Sequence, residues 1–269
     1  MKIDGKIISG EILARLKNGR LPQKFLAGIL VGVNSASKSF LTQKKKTAEE
    51  IGVDFRIYEF PESMSTDVLR KEILKIANHR SCGGVIVQLP LPGQINAQYI
   101  LNVIPPNKDV DVLGERALGS FYVGRGKASP PSVGTVEEIL RKVPIDLSSA
   151  SVAVVGPGQL IGKPISVWLS GKVKELIVLD KGSDFGLLNS ADLVISGVGT
   201  AGLIKKDMLK KDGGVIDFGY GKNEQGKISG DLDLDSVEEY LYFYTPTPGG
   251  TGPILVSKLL ENFYKLNTK

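Results

Sequence analysis

Short apolar runs alternate with amphipathic stretches along the first half of the chain. Ser9 to Lys17 places apolar residues at helical spacing, Leu26-Ala27-Gly28-Ile29-Leu30-Val31 is continuously apolar, and Ala36 to Ile51 returns to a helical pattern closed by Gly52. Asp54 to Tyr58 then reads as a strand, Ser65 to Asn78 as a helix, and Gly84-Val85-Ile86-Val87-Gln88-Leu89 as a buried strand. Apolar strands separated by helices predict a parallel sheet covered on both faces. Pro105 to Val133 is rich in Gly and Pro, lacks periodicity, and reads as an irregular crossing. Beyond it a helix starts in Val136 to Arg141, and strands are predicted at Val152–Val155, Glu175–Leu179, Leu193–Ser196 and Gly214–Asp217. A last helix is predicted from Pro253 to Leu266. The two series predict an α/β chain of two lobes. Residues 1–133, joined by 253–269, would form an N-terminal αβ lobe, and 134–252 a Rossmann-type lobe.

The second series carries a phosphate-binding pattern. The strand Val152–Val155 runs into Gly156-Pro157-Gly158-Gln159-Leu160-Ile161-Gly162-Lys163-Pro164 and then into helical sequence. Glycines in such a turn let backbone N–H groups approach a pyrophosphate at the positive end of the following helix. The spacing is GxGxxxG, one residue longer than the usual fingerprint, so its strand-turn-helix context is what gives it weight. Asp180 stands at the end of the next strand, twenty-two residues beyond Gly158. A carboxylate there can accept from ribose hydroxyls and would repel a 2′-phosphate, which favours NAD over NADP; the alternative is that Asp180 merely caps its loop. Lys163 and Lys181 lie close in sequence and could neutralise a phosphate. Gly197-Val198-Gly199 and Asp217-Phe218-Gly219-Tyr220 put small residues at further strand ends, where a cofactor edge would cross.

Composition narrows the chemistry. Of 269 residues, 42% are hydrophobic and 23% charged, and no apolar run approaches the roughly 20 residues of a membrane helix. No secretory h-region follows Met1-Lys2-Ile3-Asp4-Gly5-Lys6, which points to a cytoplasmic location. One cysteine, Cys82, excludes an internal disulfide or a cysteine metal cluster, and one histidine, His79, leaves almost no material for a Ser-His-Asp site or a histidine-rich metal site. Proton transfers must use Lys, Asp, Glu, Tyr or water. The net charge of +5 favours an anionic partner, yet basic residues are scattered apart from Lys44-Lys45-Lys46, Lys205-Lys206 and Lys210-Lys211. No aromatic-interleaved motif accompanies them, so a small acidic substrate fits better than nucleic acid. On a helix Phe40 and Lys44 share one face while Lys45 and Lys46 turn away, so a single lysine can face a cleft.

Five segments in order carry a family resemblance. These are Ser37-x-x-Phe40-Leu41-x-x-Lys44-x-Lys46, Val87-Gln88-Leu89-Pro90-Leu91-Pro92, Pro105-Pro106-Asn107-Lys108-Asp109-Val110-Asp111, Gly156-x-Gly158-x-x-Ile161-Gly162-x-Pro164 and Pro246-Thr247-Pro248-Gly249-Gly250-Thr251-Gly252-Pro253. Together they resemble the bifunctional methylenetetrahydrofolate dehydrogenase/methenyltetrahydrofolate cyclohydrolase family. The resemblance implies oxidation of 5,10-methylenetetrahydrofolate with NAD or NADP, then hydrolysis of the methenyl cation to 10-formyltetrahydrofolate, without a metal. It assigns proton transfer to Lys44, its orientation to Gln88 and the pterin grip to Asp111. Phe40, Val87, Leu89, Pro248, Gly249 and Gly250 would line the folate site, and Gly156, Pro157, Gly158, Gly162, Asp180 and Tyr220 the cofactor site. A homodimer acting on folate, polyglutamylated or not, is implied as well. The chain departs from the pattern at Phe40, where the family has tyrosine, at Val112 after Asp111, where it has glycine, and at Pro157-Gly158, where it has Arg-Ser or a similar pair. Two other classes compete: a two-lobe dehydrogenase of the amino-acid or shikimate type, and a folate binder with impaired cyclohydrolase activity.

Overall fold

The computed structural model describes residues 1–237 and 239–268. Backbone contacts sort the chain into two compact units, one made of Glu11–Pro131 with the residues from Val256 on, the other of Met1–Gly10 with Ser132–Leu255.

The first unit is built around three parallel strands. In chain order the elements are α1 (Gly5–Lys17, which also contributes to the second unit), β1 (Phe25–Val31), α2 (Ser35–Glu50), β2 (Phe55–Phe60), α3 (Thr66–Asn78), β3 (Cys82–Val87), α4 (Ala97–Leu101) and α5 (Glu115–Tyr122). The sheet order is β2-β1-β3. Every residue of β1 and β3 is buried, which is why both read as unbroken apolar runs. Asn34 starts α2 by accepting from the Ser37 N–H, and Ser65 starts α3 by accepting from Val68. Leu69, Ile73 and Ala77 of α3 pack on Ala27, Ile29, Val85 and Val87.

The second unit holds a five-stranded parallel sheet. Its elements are α6 (Pro131–Leu140), β4 (Ser151–Val155), α7 (Gly162–Leu169), β5 (Glu175–Leu179), β6 (Leu193–Ser196), β7 (Gly214–Asp217), a two-stranded antiparallel pair β8 (Gly221–Lys222) and β9 (Ile228–Ser229), β10 (Phe243–Tyr244) and the start of α8 (Thr251–Asn267), whose residues from Val256 on belong to the first unit. The order β10-β7-β6-β4-β5 sends the chain from β4 outward to β5 and then back to β6 on the other side of β4. That reversal opens a crevice at the carboxyl ends of β4 and β6, the place where open α/β sheets bind ligands.

The observed division differs from the expected split of 1–133 with 253–269 against 134–252. Residues 1–10 group with the five-stranded unit because the chain start extends that sheet beyond β10: Ile3 N–H donates to Tyr244 O at 2.9 Å and Tyr244 N–H to Met1 O at 3.0 Å. So short a segment leaves no strand pattern to read. Past Val256, α8 packs into the three-stranded unit, where Asn262 Nδ2 donates to Val110 O at 2.8 Å and Ser129 O at 2.7 Å.

The crossing expected to be irregular from Pro105 to Val133 contains α5 and the first turn of α6. Helix α5 packs Ala117, Leu118 and Phe121 on one side, but it has only eight residues and begins at Gly114 without a side-chain cap, so it is too short to establish a period and offers no start signal. Helix α6 starts at a proline, a favoured first helical residue, and is buried from Ser132 through Val136, which erases amphipathic periodicity. Among the described residues no helix is long and apolar enough to cross a membrane.

Candidate active site

Helix α2 and the end of β3 build the centre of the first unit. Leu41 is fully buried against the sheet, so its helical neighbours Phe40 and Lys44 lie half-buried at the margin. Lys46 is exposed and Lys45 pairs with Glu49 at 3.6 Å, so neither competes for the position of Lys44. Strand β3 hands Gln88 to the same place. The Gln88 N–H donates to Ile29 O at 2.9 Å, continuing the ladder one residue beyond Val87. Its side-chain Nε2 donates to Leu89 O at 2.8 Å, which turns Oε1 toward Lys44, and Lys44 Nζ donates to that oxygen at 3.0 Å. An uncharged acceptor thus fixes the direction of the Lys44 amine.

Asp111 follows in the same unit. Burial pushes its carboxyl pKa up, and the positive charge of Lys44 opposes the rise. The turn that follows Asp111 is held by Asp109, which sequence reasoning passed over although it lies in the same motif. Asp109 is buried and accepts from Leu113 N–H at 3.0 Å and Gly114 N–H at 2.8 Å. Desolvation raises its pKa to about 7, the two amides working against that rise and the nearby Asp111 charge adding to it. Immediately after Asp111, Val112 adopts φ +56°, a left-handed conformation that a β-branched residue rarely takes and glycine takes freely. The turn is therefore kept where the family's glycine is absent, with the Val112 side chain buried against Ala117 and Ala128.

The second unit gathers the expected cofactor residues. Gly156 has φ +82°, and a Cβ at Gly162 would collide with the Gly156 carbonyl oxygen, so α7 can close on the turn only with glycine there. Gly158 N–H donates to Gly156 O at 2.8 Å and Lys163 N–H to Gly158 O at 3.0 Å. Pro157 lies in this turn and supplies no charge and no N–H. Asp180 is exposed at the end of β5. One of its oxygens accepts from the Lys181 N–H at 2.8 Å, and its own N–H donates to Ser183 Oγ at 3.0 Å, so the loop-capping role is real. Tyr220 is exposed after β7. Gly249, at φ +98°, accepts from the Gly5 N–H at 2.9 Å, and Gly250 is buried with Thr245 Cβ 2.9 Å from where its own Cβ would be. Pro248 beside them is exposed.

Lys44, Gln88 and Asp111, with Phe40, Val87 and Leu89, thus fall in the three-stranded unit, while the glycine turn, Asp180, Tyr220 and Pro248-Gly249-Gly250 fall in the five-stranded one. Sequence reasoning also missed Asp231, whose buried carboxylate accepts from Ser196, Val198, Gly199 and Thr200. Its partners lie more than thirty residues away, beyond the reach of any local pattern.

A parallel sheet with a glycine turn at its switch point defines a dinucleotide-dependent α/β enzyme. Residues 3–111 match the tetrahydrofolate dehydrogenase/cyclohydrolase catalytic domain and residues 130–269 match the NAD(P)-binding domain of the same family. The chain belongs to the tetrahydrofolate dehydrogenase/cyclohydrolase family. It is 35% identical to the bifunctional protein FolD of Staphylococcus aureus (strain MRSA252), over 97% of this chain and 94% of that one. The crystal structure of FolD from Campylobacter jejuni superposes with a TM-score of 0.94 at 32% identity, covering 99% of this chain and 98% of its own. FolD from Trypanosoma brucei, complexed with NADP and an inhibitor, gives 0.91 at 26% identity, covering 99% and 96%. Since the family matches take in both units, the amino-acid or shikimate-type alternative is set aside.

Proposed function

We propose that this chain oxidises 5,10-methylenetetrahydrofolate with NAD(P)+ and hydrolyses the resulting methenyl cation to 10-formyltetrahydrofolate, with Lys44 as the proton-transfer group of the second step. The observation that carries this reading is the 3.0 Å hydrogen bond from Lys44 Nζ to Gln88 Oε1, in the unit that also holds Asp111.

A pterin presents an amide N–H and an amine side by side, and the Asp111 carboxylate can accept from both. Those two donors would stabilise the charged form that burial disfavours. Phe40 supplies a flat apolar surface for the ring. Water attacks an already electrophilic carbon, so the chemistry asks for a placed proton acceptor and not for a Lewis acid. Lys44 has that place, and Gln88 restrains its direction.

The glycine turn fits a pyrophosphate, since Gly156 and Gly162 leave room for backbone approach where any Cβ would strike. When bound, the nicotinamide supplies the hydride acceptor. Asp180 would face the adenosine ribose, and with the uncharged Pro157 it favours NAD; Lys163 and Lys181 favour NADP. The charge of Asp180 tips the reading to NAD. A homodimer in the cytoplasm, working on folate with or without a polyglutamate tail, completes the proposal.

The test is a spectrophotometric assay of both activities on the purified chain, with NAD and NADP compared side by side. Turnover of methylenetetrahydrofolate, faster with NAD, is the expected result. A tenfold or greater preference for NADP would overturn the cofactor reading. Folate binding with no turnover in either assay would establish the competing reading of an impaired folate binder.

A further inference from the structure

The crevice at the switch point has two walls, and the second is held by a side chain so far without a role. One wall is the Gly156 turn. The other is Gly197-Val198-Gly199-Thr200, which leaves β6 at the carboxyl edge of the sheet. The walls are close: a Cβ on Gly156 would lie 2.9 Å from Val198 Cγ2, and one on Gly197 would lie 2.6 Å from Ile161 Cγ2. A dinucleotide whose adenosine half is directed to Asp180, just past β5, must extend its nicotinamide half the other way, across the end of β6. The 197–200 loop is the surface it meets.

Asp231 fixes that loop. Fully buried, it accepts from Ser196 Oγ at 2.6 Å and Val198 N–H at 2.8 Å on one oxygen, and from Gly199 and Thr200 N–H, each at 2.8 Å, on the other. Three successive amides aimed at one anion form a nest of the kind that binds phosphates, here filled by the chain's own carboxylate. The surroundings are shaped around it. A Cβ at Gly219 would run into the Asp231 carboxyl, and a Cβ at Gly230 into that of Asp217. Asp217, also buried, accepts from Gly219 N–H at 2.6 Å and Leu232 N–H at 3.0 Å. Two carboxyls therefore tie together the three loops that follow β6, β7 and β9.

We propose that Asp231 is a positioning residue for hydride transfer: it sets the 197–200 loop, and so the nicotinamide half of the cofactor, without touching either reactant. The proposal rests on the function given above. Because hydrolysis of the methenyl cation uses no cofactor, it serves as an internal control on the same purified protein.

The experiment is Asp231→Asn, with both activities measured after the wild-type chain has been shown to carry them. An amide can accept on one oxygen only and turns its own N–H groups toward the remaining donors, so at least two of the four hydrogen bonds are lost. A misplacement of about 1 Å at the reacting centre costs on the order of 10²-fold in rate. The expected result is a fall of that size in dehydrogenase kcat, with the cofactor KM changed less than about threefold and cyclohydrolase activity within about twofold of wild type. Equal loss of both activities would mark a structural role and overturn the proposal, as would retention of both. Ser196→Ala removes one hydroxyl donor and no charge; it decides the matter if Asp231→Asn does not fold. That variant should lose dehydrogenase activity by a few-fold and spare cyclohydrolase activity, and an unchanged dehydrogenase would overturn the proposal. A wild-type chain lacking both activities would sink the functional reading itself, and this proposal with it.

Discussion

Replacing Gln88 by leucine removes the acceptor of Lys44 while keeping a side chain of similar length at the end of β3. The native amide is doubly anchored, with Nε2 on Leu89 O at 2.8 Å and Oε1 under Lys44 Nζ at 3.0 Å. A hydrogen bond between neutral groups contributes about 0.5–1.5 kcal/mol. If that energy serves to aim the lysine, its loss appears in the hydrolytic barrier, where each 1.36 kcal/mol is tenfold, so cyclohydrolase kcat should fall roughly 2- to 13-fold. Lys44→Met removes the proton acceptor itself and should cost more, roughly 10²- to 10⁴-fold.

The assay is decay of the methenyl chromophore at saturating substrate, with hydride transfer followed in parallel. Gln88→Leu should retain measurable dehydrogenase activity, because presenting the methylene carbon is a matter of proximity that Asp111 and Phe40 can supply. In the double variant the Gln88 effect should vanish, since there is no lysine left to aim. A Gln88→Leu enzyme that hydrolyses at the wild-type rate would refute the aiming role. So would a double variant in which the two losses simply multiply. Hydrolysis surviving Lys44→Met while hydride transfer disappears would make Lys44 a positioning residue and end the proposed mechanism.

Asp180→Ser removes the charge that opposes a 2′-phosphate and should raise the NADP:NAD ratio of kcat/KM by about tenfold or more; an unchanged ratio would leave Asp180 only its loop-capping role. Val112 at φ +56° inverts the usual order of helix and strand replacements: Val112→Gly should be more stable than Val112→Ala by about 1 kcal/mol in urea unfolding, and the reverse order would show that the turn is unstrained. Asp109 is raised from an unfolded value near 4 to about 7, so the native state binds the extra proton and its stability falls as pH rises from about 4 to about 7. Asp109→Asn, which keeps an oxygen for the Leu113 and Gly114 amides, should flatten that fall and gain on the wild type toward neutral pH; parallel urea midpoints across this range would contradict it.

What the sequence disclosed depended on whether a feature repeats along the chain. Strands β1 and β3 are legible because both faces are covered and every position is apolar. Phe40 and Lys44 could be placed on one face because helical spacing is local arithmetic. Ordered motifs added Gln88, Asp111 and the glycine turn. The remainder lacks a readable period: the chain start pairs with β10 some 240 residues away, and the eight residues of α5 are too few to establish one.

The carboxylates sharpen the point. Asp109 and Asp111 are two residues apart in one short run, yet one turns inward to hold backbone amides and the other stands where it feels the charge of Lys44. Which does which is settled by Val112. Its left-handed turn brings the 113 and 114 amides back onto Asp109, and no propensity assigns that conformation to valine. Asp180 and Asp231 divide in the same way. Asp180 is exposed at a strand end and could be read from spacing, whereas Asp231 gains its meaning from amides contributed by a loop more than thirty residues earlier. An acid that faces ligand sits at a predictable place in the fold, while an acid that holds the backbone for such a residue can come from anywhere the chain returns. The positions left unread by the sequence are therefore the ones on which the rigidity of the site depends.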